Sequence, residues 1–344
     1  MPDAALAARV RALVYERGPL TGAEVQAALG GEVFALWRAC VTASDLDLRV
    51  IGQRYLRLDR TVEGFARLSP SILREFLTYT VVGAVDRPVD LDNAAVRLAA
   101  RTAVISRTKL RLARRIVEEA FEPLVRDGRA DATAFCVLAA GDIVHGMAHD
   151  VPRRESSTEI VVDGSDLDVV VLIDDAAPGG LAALLDEAIL ARKWLYLRNP
   201  AFREEVDYVI KPVARLREQA EFDSFPKMVA CKVFAEGVPI FGDEGLYARA
   251  GRLLEEAGVP ERLRELEATA IANREERRER ARGKVQPPGN KRVSSRVSAA
   301  MSAEAGIVTI QAHTMRAATP HRTADTRLSE PTPTMAPVMV WVVG

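Results

Sequence analysis

The sequence predicts an α+β protein in four parts. Residues 1–60 form short helices followed by a ribbon, and 61–130 a helical region. Residues 131–283 form a small mixed-sheet domain with C-terminal helices, and 284–344 a tail expected to be disordered. Three observations lead there. Apolar residues recur at helical spacing near the N-terminus; strand-like apolar runs alternate with amphipathic stretches between about 132 and 245; and the last stretch has no period at all.

The first part begins with Leu6, Val10, Leu13 and Val14 at helical spacing. "GPLTGAEVQAALG" follows, with Thr21 as N-cap and Glu24 three residues on, a capping-box pattern, and Gly30 and Gly31 as the stop. "EVFALWRACVTAS" reads as a third helix, and "LRVIGQRYLRLD" alternates, with Gly52 where a hairpin would turn. Three short helices before a two-stranded ribbon read as a winged helix-turn-helix. In the second part, "SPSILREFLTYTVVG" reads as a helix capped by Ser69 with Pro70 first inside it. The arginine-rich stretch 93–125 reads as one helix or two. A solvated face and a surface for a nucleic-acid backbone both fit its arginines, as they fit Arg49, Arg54 and Arg57 of the ribbon.

The third part supplies a buried strand, "ATAFCVLAAG", then one or two strands in "EIVVDGSDLDVVVLID". An amphipathic helix (179–199), the strand "EEVDYVIKPV", the helix "FPKMVACKVFAEG" and a short strand "VPIFGD" follow. After "REERRERARGK" the composition turns to Pro, Ser, Thr and Ala without period, which cannot bury a core.

Composition excludes little. With 47 basic and 48 acidic residues the charges nearly cancel, so total charge argues for neither nucleic acid nor membrane. Three scattered cysteines without a CxxC pair indicate a reducing, cytoplasmic compartment. No apolar run approaches the ~20 residues of a membrane span, so no membrane partner is expected.

The tetrapeptide Ser-Asp-Leu-Asp occurs twice, at 44–47 and 165–168. Two aspartates one residue apart on a strand point to the same side. They repel, and a divalent cation relieves the repulsion. Asp166 and Asp168 run into "VVVLI", a strand buried on both faces, which fixes them rigidly. Asp45 and Asp47 precede an alternating, half-exposed segment and read as structural. Asp207, inside the apolar run "EVDYVI", would be costly unless paired or metal-bound, and completes a three-carboxylate set if its strand neighbours the first. Upstream, Gly141 and Gly146 follow a strand and would let backbone N–H groups turn toward a phosphate; Met147 and Ala148 stand where a P-loop needs Lys and Ser/Thr. His145 and His149, four apart, suit either a zinc pair or ordinary surface and phosphate-proximal positions.

This succession is a strand, a glycine turn, a helix, a strand with Ser-Asp-x-Asp, and a third Asp on a later strand. Over about residues 132–245 it resembles the DNA polymerase β-type nucleotidyltransferase superfamily, and "EGVPIFGDE" (Glu236 to Glu244) adds to the likeness. The resemblance implies Mg²⁺ (or Mn²⁺) at Asp166, Asp168 and Asp207, with Asp207 helping to activate the attacking hydroxyl. It implies a nucleoside triphosphate held by Gly141, Asp142, Gly146, Ser165 and Lys232. The family's turn has Ser after the first glycine, where this chain has Asp142, and the segment between Gly146 and Asp166 is long. Ser165, or Ser156 and Ser157, would then replace the lost hydroxyl. Arg153 and Arg154 either neutralise triphosphate or are solvated. The expected function is transfer of a nucleoside monophosphate to a hydroxyl of RNA, protein or a small molecule, with residues 1–130 choosing a nucleic-acid or protein acceptor. The alternative is a non-catalytic winged-helix DNA-binding regulator with a degenerate nucleotidyltransferase domain.

Overall fold

The computed structural model describes residues 2–155 and 157–282, so the tail expected over 284–344 lies outside the described residues. The described chain is a mixed α and β structure in two compact units, 2–103 with 266–282, and 104–265.

In the first unit α1 (Pro2–Arg17) leads to β1 (Leu20–Thr21), α2 (Gly22–Leu29) and α3 (Val33–Thr42). The capping box forms as the spacing predicts: Glu24 N–H donates to Thr21 Oγ1 and Thr21 N–H to Glu24 Oε2, and Gly30 ends the helix at positive φ. Next come β2 (Leu46–Val50), β3 (Tyr55–Leu58), β4 (Ala66–Ser69), α4 (Ile72–Tyr79) and β5 (Thr80–Ala84). The sheet order is β1-β5-β2, antiparallel throughout, and β3 pairs with β4 apart from it.

Two expectations fail here. The hairpin about Gly52 does not form, because β5, buried at all five residues, takes the central place beside β2 and leaves β3 to β4. The helix expected from Ser69 starts later, and the region 61–130 is not wholly helical. Ser69 is spent pairing with Tyr55, Ser71 is the N-cap, and the β-branched run Thr80-Val81-Val82 passes into strand. The core joins Val10, Val14, Leu36, Trp37, Phe76 and Val82. The division therefore falls near 103 rather than at 60 and 130, since β4 and β5 complete structure begun by β3 and β2.

One helix, α5 (Pro88–Arg126), runs through 39 residues, settling the one-or-two question. The second unit continues with β6 (Phe135–Ala140), β7 (Pro152–Arg154), β8 (Val161–Asp163), β9 (Leu167–Ile173), α6 (Leu181–Arg198) and β10 (Val206–Pro212). It closes with α7 (Val213–Gln219), α8 (Phe225–Glu236), β11 (Val238–Gly242), α9 (Glu244–Glu256) and α10 (Val259–Ala281), whose last part belongs to the first unit. The sheet order is β10-β9-β6-β11; β10 and β9 are parallel and the other pairs antiparallel. The helix expected between the glycine turn and the Ser-Asp-x-Asp strand does not form: a single 3-10 turn (Gly141–Ile143) and the paired strands β7 and β8 stand there. Val169, Val171, Ile173, Tyr208 and Val137 pack with Ile116, Val117 and Phe121 of α5 and with Leu185 and Ile189 of α6. The alternate residues of β9, Val170 and Leu172, are buried on the opposite face. Among the described residues no helix is long and apolar enough to cross a membrane.

Candidate metal centre

The opposite face carries the carboxylates. Asp168 is directly opposite Asp207 in the parallel β9–β10 ladder, and Asp166 precedes Asp168 by the strand period. One oxygen from each of Asp166, Asp168 and Asp207 lies within 4.8 Å of the others, and all three residues are half-buried. Among the described residues this is the single group of three or more such side chains placed to share a cation. The donors are all carboxylate oxygens, the set that hard divalent cations such as Mg²⁺ or Mn²⁺ prefer, so the residues fit the expected metal.

Gly141 shows how closely the turn approaches. It follows β6, whose last residue Ala140 pairs with Asp168. Its φ is +75°, and a Cβ there would stand 2.1 Å from Asp168 Oδ2. Burial, with the charges of Asp166, Asp207, Asp142 and Glu236, pushes the Asp168 carboxyl well above the ordinary carboxylate range.

Cations gather around the cluster. Lys193 of α6 donates to Asp207 Oδ1 at 3.0 Å. Burial works against its charge, but Asp207, Glu205 and Glu155 outweigh it and raise its pKa. Arg153 of β7 lies 2.6 Å from Glu205 and 3.9 Å from Asp166, and its Nε donates to Gly164 O. Burial, then repulsion from Asp207, lifts the Glu205 carboxyl to about 8 against the pull of Arg153. Lys109 of α5, itself buried, donates to Asp163 O, Ser165 O and Glu204 Oε2 within 2.8 Å, pinning the loop before Asp166. Ser106, one turn earlier, accepts from Ala148 N–H at 3.0 Å.

The turn residues divide. Asp142 accepts from Ser165 Oγ at 3.2 Å. Ser157 instead bonds Glu155, and Ser156 lies outside the described residues. Gly146 is exposed with open space around it. Lys232 is 2.5 Å from Glu236, which also bonds His145 Nε2 at 2.8 Å. Burial opposes charge on Glu236, but His145 and Lys232 hold its pKa down. His149 Nδ1 accepts from Val151 N–H. The two histidines therefore have separate hydrogen-bond partners. Arg154 is exposed and bonds Glu159 O.

The earlier Ser-Asp-Leu-Asp is taken up by ion pairs: Asp45 with Arg11, and Asp47 with Arg49, which also holds Asp92. The sequence reading missed Lys193, Glu205 and Lys109. A lone lysine in an amphipathic helix has no local signal; only the fold brings Lys193 to Asp207 and Lys109 to the loop. In comparison with protein-family models and with curated proteins, nothing matches the chain.

Proposed function

We propose that the protein is a metal-dependent nucleotidyltransferase. The observation that carries this reading is the Asp166, Asp168 and Asp207 cluster, with Gly141 closed against Asp168. Three carboxylates held this close are costly without cations, and rigid strands hold them there.

In this reading Asp166, Asp168 and Asp207 hold divalent cations. When bound, the metal neutralises the carboxylates, draws phosphate oxygens and lowers the pKa of an attacking hydroxyl. Lys193 donates to Asp207 Oδ1 and orients it, so that Asp207 can take the proton of the acceptor hydroxyl. The hydroxyl oxygen bonds the α-phosphorus, the bond from that phosphorus to the bridging oxygen breaks, and pyrophosphate leaves. The glycine turn offers backbone N–H groups to the triphosphate. Arg153 offers it a guanidinium at the edge of the cluster. Ser165 engages Asp142 and lessens the exposure of that carboxylate to phosphate. Three helices and the β1-β5-β2 sheet support a winged-helix role for the first unit.

A non-catalytic, nucleotide-sensing regulator is the second reading, favoured by Asp142, an acid in a phosphate-binding turn. One experiment separates the two. The protein is incubated with Mg²⁺ or Mn²⁺, each α-labelled nucleoside triphosphate, and total RNA or protein. Label transfer that disappears in Asp166→Ala and Asp168→Ala and persists in Asp45→Ala supports the enzyme. Nucleotide binding without transfer supports the regulator, and equal loss in Asp45→Ala would remove the assignment of the second pair.

A further inference from the structure

Between Asn93 and Val117 the sequence has no acidic residue, yet it has six arginines and one lysine, in a chain whose acids outnumber its bases. The part of this run in the second unit is the supporting helix of the carboxylate cluster. Ser106 and Lys109 hold the loops at 148 and 163–165, and Ala113, Ile116 and Val117 pack into the core. At about 100° per residue, Arg107, Arg111 and Arg114 fall within an arc of about 60° on the side away from Ser106 and Lys109. All three are exposed, and among the described residues none of them makes an ion pair; Arg111 donates to Thr108 Oγ1 at 3.4 Å. Arg115 differs: it lies over the rings of Tyr196 and Phe202 and 3.8 Å from Glu119. The ribbon arginines are also committed, Arg49 to Asp47 and Asp92 and Arg54 to Glu75.

We propose that the Arg107, Arg111 and Arg114 face of α5 binds the phosphodiester backbone of a nucleic acid, and that a nucleic acid is the acceptor class of the transfer. The acceptor role rests on the nucleotidyltransferase reading; the binding does not. Three guanidinium groups at axial steps of about 6 and 4.5 Å suit successive backbone phosphates, and the planar fork of arginine matches a phosphate's oxygens. A membrane surface fits poorly, because an interfacial helix needs a free apolar face and that of α5 is in the core. A protein partner would ordinarily find an aromatic or aliphatic anchor, and Val104 is the one large apolar residue exposed on α5 between Arg101 and Arg115.

The test is binding by the full chain, without divalent metal, to a single-stranded RNA, a duplex RNA and a duplex DNA, at about 50 and 200 mM salt. Omitting metal makes the readout independent of transfer. Binding should weaken with salt, and the triple variant Arg107→Gln, Arg111→Gln, Arg114→Gln should lower the log–log salt slope by about two for a single strand and nearly three for a duplex. The triple Lys variant should keep the slope. The relative affinities identify the nucleic acid. No binding to any of the three at the lower salt overturns the proposal. So does an unchanged slope in the Gln variant, or retention by anionic vesicles with no oligonucleotide binding.

Discussion

Gly141 and Lys211 show how single positions set the chemistry and the stability of the second unit. Adding a methyl at Gly141 places carbon within 2.1 Å of Asp168 Oδ2 at a φ that side chains avoid. Gly141→Ala should therefore cost about 1–3 kcal/mol. On the proposed metal reading, Mg²⁺ should raise the melting temperature of the wild type but not of this variant, because the carboxylate has to move. Thermal unfolding with and without Mg²⁺ checks both. Lys211 lies in β10, 5% exposed, with its Nζ donating to Gln219 Oε1 at 2.8 Å and over the Phe234 ring. Burial pulls its pKa down to about 8, against 10.5 in the unfolded chain. Between those values the unfolded state binds the extra proton. The lysine's contribution thus raises stability as pH climbs from about 8 to 10.5, and its penalty is full below about 8. Lys211→Met should stabilise the protein at pH 7 and remove that contribution. The difference between wild-type and variant urea unfolding at pH about 7.5 and 9.5 isolates it from every group the two proteins share. A difference that does not change with pH would mean Lys211 is not held neutral-prone by its surroundings.

At the scale of elements, α5 is a brace: its buried face holds the loops and its exposed face is basic. Lys109→Met would leave Glu204 and two loop carbonyls without their partner. Losing one member of a buried ion pair costs about 3–5 kcal/mol. The variant should lose stability on that order and bind Mg²⁺ more weakly, measured by unfolding and by metal titration. Elements with strong local chemistry were legible in the sequence: α2 from Thr21, Glu24 and Gly30; β9 from "VVVLI"; β10 from its run up to Pro212. The cluster of Asp166, Asp168 and Asp207 was legible too, because a strand's period of two and an isolated acid in an apolar run are local facts. Pairing was not. That β2 chooses β5 over the nearer β3 depends on which strand buries more, and alternation in "LRVIGQRYLRLD" is the same either way. Nor do letters show that Arg54 is spent on Glu75 or that Lys193 reaches Asp207, since those contacts join positions far apart in the chain.

Across the whole molecule, the two units have separate cores, one around Leu36, Trp37 and Phe76, the other around Phe121, Val171 and Tyr208. The carboxylate cluster and every cation described around it lie in the second. A defect confined to the first core should then leave metal binding intact. Phe76 is 1% exposed, and truncating a buried Phe costs about 3–5 kcal/mol. Phe76→Ala should speed amide exchange through α1–α4 and β5 while the midpoint of a Mg²⁺ titration stays within about twofold of wild type, since sites without shared partners behave additively. Exchange measured with and without Mg²⁺ in the same variant gives the complement: protection gained on adding metal should appear in β6, β9 and β10 and be missing from residues 2–84. A shift of the metal midpoint by tenfold or more would show that the first core governs the carboxylates. Helices α5 and α10, which run through both units, would be the segments to probe for that coupling.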